Sequence, residues 1–165
     1  MIRLASRKSG TFGLFFAVAL LFVLFGCGGS PASGEPDNFR NIKWGTDFSS
    51  LSGFNQIAKD GELAFYEKNN DTLQLEDLKL EQVIYGFHKG RFYTAMIYFP
   101  VTGFSRMKEI MVRGLGEPTS PDKTPSKLVW DGSNVTVLLT SAEGSDTARL
   151  AYLYKPVQLE IELKK

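Results

Sequence analysis

The clearest pattern in the chain runs from Glu81 to Phe99, EQVIYGFHKGRFYTAMIYF. Two stretches rich in Val, Ile, Tyr and Phe flank His88-Lys89-Gly90, which predicts a hairpin with a three-residue loop and Gly90 at positive φ. On the second strand, Phe92, Thr94, Met96 and Tyr98 alternate with Tyr93, Ala95, Ile97 and Phe99. Both sets are largely apolar, so this strand is expected at the centre of a sheet, covered on two sides. The next block, Thr102 to Pro118, changes period. Phe104, Met107, Ile110, Met111 and Leu115 form one stripe at helical spacing, and Gly114, Gly116 and Pro118 supply the stop.

Weaker patterns fill in the rest. Phe39 to Gly45 reads as a short strand, and Thr46 or Asp47 as the cap of a helical turn that turns Phe48, Leu51 and Phe54 inward. Glu62 to Lys68 reads as a strand ended by the Asn-Asn-Asp turn signal. Leu73, Leu75, Leu78 and Leu80 suit two short extended pieces about a turn at Glu76-Asp77. Lys127 to Thr140 predicts a hairpin about Asp131-Gly132, and Thr147 to Tyr154 a further strand. Val157, Leu159, Ile161 and Leu163 alternate with polar residues, the pattern of a half-buried edge strand. Hairpins throughout and one main helix predict an α+β fold, an antiparallel β-sheet packed against one principal α-helix. Parallel topology is disfavoured because helical crossovers are missing.

The first residues follow a different logic. MIRLASRKSG carries Arg3, Arg7 and Lys8 and no acid, and Thr11 to Gly26 follow without a charge. A basic start, an apolar run and a small residue near its end make a secretory leader. As a helix the run would rise roughly 24 Å at about 1.5 Å per residue, short of a hydrocarbon core about 30 Å thick. The single cysteine of the chain, Cys27, stands at its end. Leu24-Phe25-Gly26-Cys27 resembles the lipobox of bacterial lipoproteins, with Phe25 bulkier than the usual residue at its place. The resemblance implies cleavage before Cys27, acylation of its thiol and anchoring in a lipid bilayer. Such anchoring needs two signals, at about 0.8 kcal/mol per buried methylene. Gly28 in place of Asp points by the same resemblance to the outer membrane of a two-membrane host.

This reading divides the chain into a leader (1–26), a lipidated Cys27 with a Gly/Ser/Pro-rich tether (27–38), and one domain (39–165). Cleavage leaves 16 basic against 18 acidic residues and shifts the net charge from +1 to −2. So even a balance argues against a nucleic-acid surface. A lone cysteine also excludes an intramolecular disulfide.

Candidate chemistry is sparse. His88 is the one histidine, placed by the hairpin reading in a solvated loop. No Cys/His metal spacing, phosphate loop, dinucleotide fingerprint or nucleophile elbow occurs, so no cofactor is expected. Glu76, Asp77 and Glu81 are close enough in sequence to be weighed as a carboxylate pair, though a charged turn explains them as well. Aromatic residues are the distinctive feature, with 13 Phe, 6 Tyr and 2 Trp. Trp44, Tyr85, Tyr93 and Trp130 are the candidates for a ligand or partner face. The competing reading puts aromatic rings in the core, where they bury the most area.

FRNIKWGTDFSSLSGF, the Tyr-rich hairpin and Leu-Gly-Glu-Pro together resemble small bacterial envelope proteins of unestablished activity with an Ile-x-Trp-Gly-Thr opening. There is a fainter likeness to outer-membrane assembly lipoproteins of the SmpA/OmlA type, without their two-helix-first order. These resemblances imply a fold family and carry no activity; the lipobox, the tether and the lack of a catalytic set point to a membrane-tethered, non-enzymatic domain that binds an envelope protein or polymer. Two other readings are a small-ligand carrier using an aromatic sheet face, and a carboxylate-dependent envelope hydrolase.

Overall fold

A computed structural model describes residues 34–121 and 126–163. The leader, the lipobox and Cys27 lie outside the described residues. The elements run β1 (Asn38–Phe39), β2 (Ile42–Lys43), a 3-10 turn (Phe48–Ser50), β3 (Phe54–Asp60), β4 (Leu63–Lys68), β5 (Gln74–Leu75), β6 (Leu78–Lys79), β7 (Gln82–His88) and β8 (Arg91–Pro100). A second 3-10 turn (Val101–Gly103) leads into α1 (Phe104–Leu115), followed by β9 (Ser120–Pro121), β10 (Lys127–Asp131), β11 (Val135–Ser141), β12 (Thr147–Tyr154) and α2 (Lys155–Glu162). Eight strands form one antiparallel sheet in the order β3-β4-β7-β8-β12-β11-β10-β9. The fold is α+β, two meanders joined by α1 and sealed where β8 pairs with β12.

The central hairpin is tighter than its sequence suggests. His88 pairs with Arg91, so the loop is the two residues Lys89-Gly90, both at positive φ. That primed turn matches the right-handed twist of the strands. A bulge then leaves Tyr93 without a cross-strand position, since Gly86 faces Thr94 and Phe87 faces Phe92. The extra residue rotates Phe92 onto the side of Ala95, Ile97 and Phe99, where plain alternation would not put it. Beyond Thr94, β12 no longer borders β8. The segment Gly45–Phe48 takes its place, with Gly45 N–H donating to Phe92 O (2.8 Å) and Phe92 N–H to Thr46 O (2.9 Å).

One sheet face is the core. Tyr85, Phe87, Phe92, Ile97, Phe99, Leu139 and Leu150 pack under Met107 and Met111 of α1, with Phe39, Ile42 and Leu80 closing the sides. The opposite face carries half-buried Phe65, Ile84, Met96 and Leu138. There α2 packs on β8 and β12 and buries Val157. Gly86 lies on this face because a Cβ would stand 2.3 Å from Thr94 Cγ2 and 3.1 Å from the Phe65 ring.

Two elements differ from expectation. The C-terminal alternation does not make a strand but α2, which Pro156 opens in a position where no N–H is required. In helical geometry Val157 and Ile161 share a side, while Leu159 and Leu163 are 55% and 87% exposed. The edge strand β3 gave no periodic signal, because six of its seven positions are exposed.

Candidate functional site

The most specific polar arrangement is built by the β10–β11 loop around an incoming carboxylate. Three consecutive backbone N–H groups, those of Ser133, Asn134 and Val135, donate to Glu35. Ser133 reaches Oε2 at 3.1 Å, and Asn134 and Val135 share Oε1. Successive N–H groups turned to one point form an anion-binding nest. Gly132 makes room for it, since a Cβ there would lie 2.8 Å from the Glu35 carboxylate.

The loop is held by contacts that do not involve Glu35. Gly132 N–H donates to Val135 O (3.0 Å), and Thr136 Oγ1 donates to Asp131 Oδ1 (2.7 Å). Lys155, at the start of α2, reaches behind the loop to Gly132 O (2.6 Å) and Asp131 Oδ1 (2.8 Å). The Lys155 hydrogen bond, then that of Thr136, holds the Asp131 carboxyl below the usual carboxylate range. These contacts brace the loop independently of Glu35.

A cleft of about 230 Å³ opens on one side of Glu35, floored by Leu115, Trp130 and Val137 with Thr119 at its wall. A shallower one of about 410 Å³ opens on the other side, between Lys43, Trp44, Asn134 and Tyr154. Residues 34–37 run between them as a strap. Pro36 O accepts a hydrogen bond from Trp44 Nε1 at 2.8 Å. Glu35 and Pro36, within the expected tether, are thus in contact with the domain.

The four aromatic candidates do not form one exposed face. Trp44 is half-buried and stacks on Phe92 at 4.8 Å between ring centroids, then on Tyr152 and Tyr154. Trp130 is buried, with its indole N–H on Gly116 O at 2.8 Å. These two stand on either side of the strap. Tyr85 lies fully inside the core, and Tyr93 is buried in the β8 bulge. The nest itself escaped the sequence reading, because backbone donors have no residue signature. The sequence pattern marks Asp131-Gly132 only as a turn.

His88 is not a solvated loop residue. It is the last residue of β7, 3% exposed, with Nε2 3.3 Å from Glu62 Oε2 and a buried Nδ1 that makes no hydrogen bond. The shorter hairpin loop pulls it into the strand. Beside it, Arg91 pairs with Glu160 of α2. The carboxylates weighed for catalysis are engaged elsewhere. Glu76 and Asp77 meet Arg106 at 3.1 and 2.8 Å, Glu76 also meets Arg113, and Glu81 accepts from Thr147 Oγ1 at 3.2 Å. Among the described residues, no group of three or more His, Cys, Asp or Glu is placed to hold a metal ion. No helix among them is long and apolar enough to cross a membrane.

In comparisons with known proteins, no family model, no curated protein and no solved structure matches the chain.

Proposed function

We propose that this protein is a lipid-anchored component of the bacterial cell envelope, fixed to the bilayer through acylated Cys27, whose domain binds another envelope protein or polymer without chemically altering it. The observation that carries the anchor is the junction Leu24-Phe25-Gly26-Cys27 at the end of an uncharged run with a basic start. The side facing the periplasm, on the outer membrane, is the location that Gly28 favours. The binding role draws support from the nest. Its three donors are backbone amides of the loop, which hold a carboxylate oxygen and do not ionise near neutral pH, so they can bind but not serve as an acid or a base. The carrier reading requires an apolar cavity, and where the aromatic face would provide one, Tyr85, Phe87, Phe92 and Trp44 fill the space against one another.

Intact mass of protein purified from membranes, beside a Cys27→Ala variant, tests the anchor. The expected wild-type mass starts at Cys27 and includes acyl chains, and the variant loses them and leaves the membrane fraction. An unmodified chain that keeps residues 1–26 would overturn the proposal and make the apolar run a membrane helix. Crosslinking of the anchored form then identifies the envelope component.

A further inference from the structure

A nest already filled by the chain's own carboxylate poses a question of ligand chemistry. Glu35 contributes little to the core, yet its carboxylate receives three N–H bonds from a loop about 100 residues away in sequence. Charge-assisted bonds of this kind are roughly twice as strong as neutral ones. The receptor side is prepared without it, by the Thr136–Asp131 and Lys155–Gly132 bonds and by the missing side chain at Gly132. The occupant is the segment Gly34 to Asp37, which has clefts on both sides and whose Pro36 carbonyl accepts from Trp44 Nε1. Lys43 and Asp37 line one cleft and Asp131 the other, while Lys155 pairs with Asp131 behind the loop.

We propose that the Gly132–Val135 loop is a binding site for a carboxylate carried on a peptide segment, and that Glu35 occupies it as an intramolecular stand-in. The outside ligand is an acidic peptide segment whose carboxylate enters the nest while its backbone replaces the strap between Trp44 and Trp130. A tethered occupant has an effective concentration in the millimolar range. It therefore screens the site against weak carboxylates and yields to a ligand that also fills the two clefts. The inference does not rest on acylation of Cys27, so failure of the anchor test leaves it standing and the reverse holds too.

The test uses the full chain in detergent and follows the amide protons of Ser133, Asn134 and Val135 by NMR. The probe is an acetylated, amidated peptide of sequence Ser-Gly-Glu-Pro-Asp, with its Gln-for-Glu counterpart as control. In Glu35→Ala the three amide protons move upfield while the rest of the spectrum keeps its dispersion. The Glu peptide returns them, binding at least tenfold more tightly than the Gln peptide and at least tenfold more tightly than it binds wild type. Adding Gly132→Ala to Glu35→Ala abolishes the response. Glu35→Gln, which keeps the side-chain shape, gives the same order of peptide affinities and covers the case in which Glu35→Ala loses its native spectrum. Three results overturn the proposal: unmoved amides in Glu35→Ala, equal response to the two peptides, or moved amides that no millimolar peptide restores. The last would make Glu35 a strap fastening only.

Discussion

At the scale of single residues, Tyr85 carries a polar atom into an apolar core and still finds it an acceptor. Its hydroxyl donates to Asp71 Oδ2 at 2.7 Å, and Asp71 is held by Arg40, which also donates to Thr72 O at 2.7 Å. Burial first, and then the Asp71 carboxylate, push the phenol well above its ordinary range, so it remains a donor at any neutral pH. Arg40 is brought there by the β1–β2 turn, where Arg40 and Asn41 take φ of 49° and 67°. Tyr85→Phe keeps the ring packing and removes one of the bonds to a carboxylate that is only 12% exposed. The expected loss is about 1–2 kcal/mol, read from urea denaturation. A loss within error would mean that water replaces the hydroxyl. Of this triad the sequence showed Tyr85 alone. Arg40 and Asp71 are 31 residues apart, and the turn that joins them uses a left-handed Arg that no pattern announces.

At the scale of elements, the blocks with a strong pattern are legible and the shifts of register within them are not. α1, with its stripe from Phe104 to Leu115, and the β7–β8 and β10–β11 hairpins follow from the pattern alone. The bulge at Tyr93 does not, since one inserted residue leaves the composition of both faces apolar. α2 was misread because Val157, Leu159, Ile161 and Leu163 fit period two while burial selects only Val157 and, in part, Ile161. Pro156 opens the helix, and a tie from Arg91 to Glu160 joins it to β8. That tie is pH-sensitive. The Arg91 hydrogen bond, and then the charges of Arg91, His88 and Lys89, hold the Glu160 carboxyl below the usual carboxylate range. A lowered folded value means that its contribution is present above that range and is lost as pH falls through it. Hydrogen exchange in α2 should therefore be slow at pH 7 and faster, relative to β8, at pH 3. Glu160→Gln should remove most of the difference. A pH response unchanged by Glu160→Gln would assign the sensitivity to another carboxylate.

At the scale of the whole molecule, two four-stranded meanders share one core rather than sitting side by side. The β8–β12 seam pairs Pro100 with Thr147 through to Thr94 with Leu153. Where it ends, the N-terminal segment crosses it: Phe39 and Trp44 pack on Tyr152, Trp44 also on Tyr154, and Glu35 docks on the second meander's loop. The candidate site is thus made at the point where the halves are sewn together, and its occupancy bears on their cohesion. The two tryptophans make this measurable, since Trp44 lies across the seam, against Phe92, Tyr152 and Tyr154, and Trp130 lies in β10 of the second meander. In Trp44→Phe the fluorescence reports the second meander, and in Trp130→Phe the seam between the halves. With a shared core, each variant's fluorescence transition should coincide with its own far-ultraviolet circular dichroism transition, the mark of all-or-none unfolding. The variants need not share a midpoint, because each loses a different indole. Glu35→Ala, built into each, should lower both midpoints together if the strap fastens the halves. Fluorescence in the Trp130 reporter that precedes its circular dichroism would instead show a second meander that opens first, with the nest exposed while the Tyr85 core still stands.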